Sequence, residues 1–185
     1  MEETPRYNPM QTVKRRFFAM RNGIIADVYR KAGSPYRIIF GLNLPQIVEI
    51  AEETAPSREL AEALWANTTT RESLLLAPML MPRDEFSADD ARRWAASAPD
   101  FEAADILSHR LLRHLPDAAA LAGEFAADDA MTCYVGVRLA FNILYSQPSA
   151  AITAARTAIA KAENDAAARV ARQVLDEAYA CGYSL

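Results

Sequence analysis

The feature that most constrains the fold is a rhythm of helix pairs that begins near Pro56 and runs toward the end of the chain. Each unit reads as a shorter amphipathic helix, a tight polar turn and a second helix opened by a favoured N-cap residue. A single helix pair cannot bury its apolar face, so repeats of this kind stack into an α-solenoid whose inner helices line a concave surface. An irregular bundle of eight or more helices is the alternative. The predicted caps of the second helices, separated by 30, 29 and 35 residues, are Thr70, Asp100, Asp129 and Asn164.

Upstream of this array the sequence predicts two more helical segments. Between Thr12 and Gly33 apolar residues recur at spacings of three and four, which predicts one amphipathic helix, with a break near Asn22 and Gly23 as the alternative. Asn43 as N-cap, followed by Pro45 in the first turn, predicts a helix through "QIVEIAEET". The apolar stripe of the first segment consists of Val13, Phe17, Met20, Ile24 and Val28.

Length and composition favour one all-α domain. A chain of 185 residues with 51% hydrophobic and 24% charged residues is in the globular range, and 6 glycines beside many alanines favour helix. We therefore predict a single domain over residues 1–185, with residues 1–11 as a flexible or poorly packed segment. No window reaches the roughly 18 apolar residues of a membrane span, and the polar N-terminus differs from a signal peptide. These features predict a cytoplasmic protein that does not contact a membrane.

Charge is distributed unevenly along the chain. Through Phe40 eight Lys or Arg residues stand against three acids, a net +5, so the remainder of a chain of net charge −4 carries −9. This asymmetry indicates an anionic partner for the N-terminal segment, or alternatively a basic helix face that acids balance in the fold. The candidate contacts in this segment include Arg15, Arg16 and Arg21.

The sequence contains no phosphate loop, nucleophile elbow, metal-binding HExxH helix or zinc knuckle. Cys133 and Cys181 lie in separate predicted helices without metal-ligand spacing, which favours buried free thiols. His109 and His114 are five residues apart, about 140° around a helix, so one face cannot offer both to a metal. We therefore expect no metal and no cofactor.

Polar residues on the predicted second helices are the candidates for chemistry. Phe101 and Asp105 are four residues apart and share one helix face. Arg138 interrupts the apolar helix "CYVGVRLAFNILY", and a half-buried arginine needs an anionic partner. It either pairs with an acid of the neighbouring repeat, such as Asp105, or faces the groove toward an anionic ligand. Tyr134, beside the same stripe, is either a core or a groove residue.

The segments "LWANTTTRESLLLAPMLM", "PDFEAAD" and "VRLAF" resemble bacterial DNA alkylation repair proteins, which are alkylpurine DNA glycosylases built from HEAT-like repeats. The resemblance extends from about Thr12 to the end of the chain. In that family a Trp-x-x-x-Asp helix presents an aromatic side chain and an essential carboxylate to DNA. Phe101 takes the place of the tryptophan, Asp105 that of the aspartate, and Arg138 with Tyr134 the places of a helix arginine and its aromatic neighbour.

The resemblance implies a protein that holds duplex DNA by its backbone and excises purines such as 3-methyladenine or 7-methylguanine. Asp105, with Phe101, would be catalytic and stabilise positive charge on the deoxyribose. Phenylalanine offers less stacking than tryptophan, so a catalytically degenerate DNA-binding relative is also implied. A non-enzymatic solenoid that binds a protein or peptide is the alternative from another class. The candidate DNA-binding residues are Arg138, Tyr134, Arg110, Arg113, Arg15, Arg16 and Arg21.

Overall fold

The computed structural model describes residues 8–161 and 165–183. Over these residues the backbone forms helices, and the strand-like "YRIIF" segment contributes only an isolated bridge between Ile38 and Thr70. The all-α prediction is confirmed for this part of the chain. The α-helices are α1 (Pro9–Ala19), α2 (Gly23–Lys31), α3 (Leu44–Glu53), α4 (Arg58–Trp65), α5 (Arg71–Leu80), α6 (Ala88–Ala96), α7 (Phe101–Arg110), α8 (Ala118–Ala126), α9 (Ala130–Ile143), α10 (Pro148–Lys161) and α11 (Asp165–Ala180), with short 3-10 helices η1 (Arg83–Glu85) and η2 (Leu112–His114).

The helices group into two compact units, one up to Glu85 and one from Phe86 onward. In the first unit, α5 contacts α3 and α4, and α1 contacts α4. In the second unit, the second helices of successive pairs are neighbours, since α9 contacts both α7 and α11. The first helices α8 and α10 contact each other and α9. No helix in the described ranges has the length and apolar character needed to cross a membrane.

The predicted N-caps in the described part of the chain coincide with the starts of their helices. Asp100 caps α7 through its side chain, which accepts a hydrogen bond from the backbone N–H of Ala103 at 2.8 Å. Thr70 and Asp129 occupy the cap positions of α5 and α9, but neither side chain forms a hydrogen bond that caps its helix. Asn164 lies outside the described residues. Asn43 forms a capping box at the start of α3, as its position before Pro45 predicts.

The N-terminal segment breaks into two helices at the predicted point. Asn22 ends the connection after α1 and caps α2, where its side chain accepts hydrogen bonds from two backbone N–H groups. The prediction of one continuous apolar stripe is therefore wrong beyond the break: Ile24 is 80% exposed and Val28 58% exposed. The new helix buries Ala26 instead. Residues 1–7 of the segment predicted to be poorly packed lie outside the described part, and residues 9–11 form the first turn of α1.

A buried ion pair organises the first unit. Glu72 is fully buried, and its carboxylate accepts hydrogen bonds from the backbone N–H groups of residues 40–42 at 2.9 to 3.3 Å. Arg71, which is 2% exposed, pairs with Glu72 at 3.2 Å and donates to the Tyr29 hydroxyl at 2.8 Å. Gly41 has φ +78°, and a Cβ there would lie 2.2 Å from the carbonyl oxygen of Asn22. The connection between α2 and α3 is thus fixed by charge and by a position that requires glycine.

Helix α9 lies against α8 at backbone contact. A Cβ added to Gly136 would lie 2.5 Å from the backbone nitrogen of Ala126 and 2.8 Å from Cβ of Phe125. No larger residue can occupy this position unless the two helices separate. Gly136 therefore sets the distance between α9 and the helix behind it.

We predict that Gly136→Ala lowers the free energy of unfolding by about 1–3 kcal/mol, because the added methyl group overpacks the α8–α9 contact. Gly123→Ala is the matched control in α8, where a Cβ meets no atom within 4 Å. Alanine there should add about 0.5–1 kcal/mol, the usual helix-interior difference from glycine. Chemical denaturation of the three proteins measures both effects. Equal stability of Gly136→Ala and the parent protein would contradict the close contact.

Candidate functional site

Helices α7 and α9 meet along three side-chain pairs, which we call the seam. Each pair joins residues 33 positions apart, and successive pairs lie four residues further along both helices. Residues four apart occupy one helix face, about 6 Å from each other along the axis, so one register aligns all three pairs. In order, the pairs are Phe101 with Tyr134, Asp105 with Arg138, and His109 with Asn142.

The central pair places an arginine and a tyrosine on one oxygen of a carboxylate. Nε of Arg138 lies 2.7 Å from Oδ1 of Asp105, so the two side chains form an ion pair. The N–H of Nε is poorly aligned for a hydrogen bond to this oxygen. The Tyr134 hydroxyl donates a hydrogen bond to the same Oδ1 at 3.0 Å. Within the described part of the chain, Oδ2 of Asp105 has no hydrogen-bond partner. The side chain of Asp105 is 36% exposed, so this second oxygen can be offered to a ligand.

Arg138 pairs with Asp105 without using its whole guanidinium group. Its contact with the carboxylate is through Nε, and its guanidinium carbon lies 5.7 Å from the ring centre of Phe141. Among the described residues, its two terminal nitrogens have no hydrogen-bond partner. The structure therefore brings Arg138 to Asp105, which is the first of the two alternatives from the sequence. The two terminal nitrogens of the guanidinium group can donate hydrogen bonds to an anion.

Burial raises the pKa of the Asp105 carboxyl above its ordinary value. The Arg138 charge and the Tyr134 hydrogen bond act in the opposite direction but do not cancel the effect of burial. The ionised carboxylate is therefore less favourable in the folded protein than in the unfolded chain. Burial, followed by the Asp105 charge, raises the pKa of Tyr134 to about 12, so its hydroxyl remains a donor at neutral pH.

The first pair of the seam places an exposed aromatic ring beside this carboxylate. Phe101 is the first residue of α7 and is 45% exposed. Its ring centre lies 4.5 Å from that of Tyr134, with the two rings tilted by 45°. Tyr134 is buried beneath it, so Phe101 has a supported ring that is accessible from outside.

The third pair, His109 with Asn142, is not among the residues predicted to bind or react. Nδ1 of His109 lies 3.1 Å from Oδ1 of Asn142, whose side-chain amide nitrogen donates to the backbone carbonyl of Arg138 at 2.8 Å. The sequence pattern raises His109 only as a candidate metal ligand. The signal that could have found this pair is the constant offset of 33 residues, applied one turn beyond Asp105 and Arg138.

Two predicted DNA-binding arginines follow the seam, Arg110 as the last residue of α7 and Arg113 on η2. Arg110 is half-buried, and among the described residues its Nε has no hydrogen-bond partner. Arg113 donates from Nε to Nε2 of His114 at 3.2 Å. Residues 106–116 contain two arginines, two histidines and no acid, so this stretch of the chain carries net positive charge.

The other three predicted arginines belong to the first unit. Arg16 forms ion pairs with Glu49 at 3.3 Å and Glu53 at 2.5 Å, so acids balance this part of the basic segment. Arg21 donates to a backbone carbonyl at the end of α1, and Arg15 is exposed. The seam belongs to the second unit, and the role of these three residues as DNA contacts remains a prediction.

The cysteines match only part of the prediction. Cys133 is buried and free, but Cys181 is exposed because it follows the last residue of α11. Over the described ranges, no group of three or more Cys, His, Asp or Glu side chains is arranged to bind a metal.

We predict that Asp105→Asn leaves the free energy of unfolding at pH 7 unchanged or raises it, because the ionised carboxylate is disfavoured by burial. Glu124→Gln in α8 is the matched control. Glu124 accepts two hydrogen bonds from Arg92, which lower the pKa of its carboxyl. Loss of this carboxylate charge in Glu124→Gln should therefore slightly reduce the free energy of unfolding at pH 7. Thermal denaturation compares the two variants. A larger loss for Asp105→Asn than for Glu124→Gln would mean that Asp105 serves the fold.

Comparison with known proteins places this geometry in context. Residues 13–135 match the model of a protein family described as DNA alkylation repair enzyme. The fold is similar, with a TM-score of 0.77 and 17% identity, to a solved structure described as "A new family of proteins related to the HEAT-like repeat DNA glycosylases with affinity for branched DNA structures". The match covers 91% of this chain and 75% of that one, and it confirms the predicted array of HEAT-like helix pairs. No curated protein matches the sequence.

Proposed function

Because this chain belongs to the DNA alkylation repair enzyme family, we propose that it binds DNA at the seam and hydrolyses the N-glycosidic bond of an alkylated purine there. The observation that carries the proposal is Asp105, a half-buried carboxylate with one oxygen free, beside the exposed ring of Phe101. The fold holds this carboxylate although burial disfavours its charge. Such a group is a candidate for function rather than for stability.

The reaction needs little beyond a well-placed negative charge. A purine alkylated at N3 or N7 is already cationic, so it leaves with the electron pair of the bond to C1′ and becomes neutral. The sugar then carries oxocarbenium-like positive charge until water adds to C1′ and loses a proton. The Asp105 carboxylate would stabilise that charge, and its free Oδ2 can accept a hydrogen bond from the water. No general acid is required for the departing base.

The neighbouring side chains have distinct positioning roles in this proposal. The terminal nitrogens of Arg138 suit a backbone phosphate, because a planar guanidinium donates two parallel hydrogen bonds. The Tyr134 hydroxyl holds Oδ1 of Asp105 and so directs Oδ2 outward. The exposed ring of Phe101 can stack on the lesion nucleotide, with less contact area than a tryptophan offers. We therefore expect slow excision.

We predict that Asp105→Asn reduces release of 7-methylguanine and 3-methyladenine from alkylated duplex DNA by at least about a hundredfold, the usual effect of losing one transition-state contact. Single-turnover excision with excess protein measures the chemical step. Glu124→Gln, which removes an exposed carboxylate of the same unit, should excise at the parental rate. Equal release by the parent and Asp105→Asn would exclude the role assigned to Asp105.

We predict that excision is lost on acidification at a higher pH than an ordinary aspartate would give. Only the ionised carboxylate stabilises the sugar cation. Burial raises the pKa of Asp105, so half of the carboxyl groups are protonated at a pH above the usual value of about 3.9. The single-turnover rate, corrected for spontaneous depurination, is measured between pH 4 and pH 8. A rate that stays constant down to the ordinary aspartate range would contradict the proposal.

Binding of branched DNA without excision is the second candidate. The observation that favours it is the description of the similar solved structure, which attributes affinity for branched DNA to that protein. Gel-shift titrations with a duplex and a four-way junction of equal length distinguish the two functions. If the protein prefers the junction and releases no alkylated base, the seam serves recognition of branched DNA only.

A further inference from the structure

We propose that His109, in the third pair of the seam, binds a phosphate of the DNA backbone in its doubly protonated form, so that DNA binding takes up a proton. This inference rests on the proposed binding of DNA at the seam. It adds a contact that acts on affinity and takes no part in bond cleavage.

The hydrogen bonds of Asn142 fix the tautomer of His109. A backbone carbonyl can only accept, so the side-chain atom of Asn142 that lies 2.8 Å from the carbonyl oxygen of Arg138 must be the amide nitrogen. Its other side-chain atom, Oδ1, is then an acceptor facing Nδ1 of His109 at 3.1 Å. Nδ1 of His109 therefore carries a proton, and Nε2 is the nitrogen with the variable proton.

Nε2 of His109 is available to a ligand. Among the described residues it has no hydrogen-bond partner, and the side chain is half-buried rather than enclosed. It follows Asp105 by one helical turn on the same face of α7, about 6 Å further along the seam. The unpartnered terminal nitrogens of Arg138 lie at the preceding pair. A strand that contacts Arg138 and continues along the seam would next meet His109.

The charge around His109 selects an anion as its ligand. The third pair is followed by Arg110 and Arg113, and no acid occurs between Asp105 and Asp117. A phosphate oxygen accepts hydrogen bonds only, so Nε2 must carry a proton to contact it. Histidine is the side chain that changes its charge between pH 5 and pH 8, so this contact links DNA affinity to pH. The other charged and titratable residues on α7 and on its main neighbours, α9 and η2, are Glu102, Asp105, Arg110, Arg113, His114, Cys133, Tyr134 and Arg138.

The test uses the full chain with Asp105→Asn, because protonation of Asp105 would also favour DNA at low pH. Affinity for an unmodified duplex is measured by fluorescence anisotropy at pH 8 and pH 6, over a series of salt concentrations. We expect affinity to rise roughly threefold to tenfold at pH 6, as uptake of one proton allows. We also expect the slope of log affinity against log salt to steepen by about one.

The chain contains two histidines, which provides a matched control. In the Asp105→Asn protein, His109→Gln should remove the pH response of affinity and the change in salt slope. His114→Gln should retain both responses, since His114 lies on η2 outside the seam. Thermal denaturation of each variant checks that it is folded at both pH values.

Each outcome of this experiment decides a separate question. Binding that is independent of pH, or a pH response that persists in folded His109→Gln, would overturn the role of His109 and leave the proposed function intact. A response lost in both histidine variants would also contradict it, because the effect would not be specific to the seam. No binding to duplex or branched DNA at either pH would overturn both proposals.

Discussion

The register between α7 and α9 is the constraint on which the site depends. One offset of 33 residues places aromatic, charged and polar pairs opposite each other at successive turns. A shift of one residue in either helix would rotate every member by about 100° and separate all three pairs. Gly136 lies about 200° around α9 from Tyr134 and from Arg138, so its close contact with α8 supports the seam from the opposite side. The geometry of the seam is thus fixed by helix packing rather than by loops.

The seam holds a carboxylate, Asp105, whose charge is disfavoured by burial and of which only one oxygen is paired among the described residues. Arg138 and Tyr134 both act on Oδ1 of Asp105, which keeps the carboxylate oriented while Oδ2 stays open. Burial raises the pKa of that carboxyl, so the fold gains no stability from its charge at neutral pH. The buried ion pair of Arg71 with Glu72 in the first unit differs in its contacts, because both of its side chains are hydrogen-bonded to backbone groups. The Arg71–Glu72 pair therefore holds the connection between α2 and α3, whereas the Asp105–Arg138 pair keeps polar atoms that a ligand can contact.

Local patterns in the sequence predicted a large part of this structure. Helix caps such as Asp100 and Asn43 depend on residues within one turn, so their positions could be read directly. The face shared by Phe101 and Asp105 follows from helical periodicity alone, and the family resemblance gave those residues a role. The exposed positions of Ile24 and Val28 could not be read, because the stripe changes direction at the break before α2.

Contacts between residues that are far apart in the sequence could not be predicted from local patterns. The carboxylate of Glu72 binds backbone groups 30 to 32 residues earlier in the chain, which no local sequence pattern indicates. His109 was missed because its partner Asn142 lies 33 residues away and carries no motif. The neutralisation of Arg16 by two acids of α3 likewise requires knowing which helices are neighbours.

The central claim is that Asp105 stabilises positive charge on the deoxyribose of a bound nucleotide. Its most direct test compares the affinity for two duplexes, one with a cationic pyrrolidine in place of the lesion sugar and one with a neutral tetrahydrofuran. A transition-state-like charge should be bound more tightly by a site built for it. The account predicts that the parent protein prefers the cationic duplex and that Asp105→Asn loses this preference. Equal affinity of the parent for both duplexes, or a preference that survives in Asp105→Asn, would contradict it.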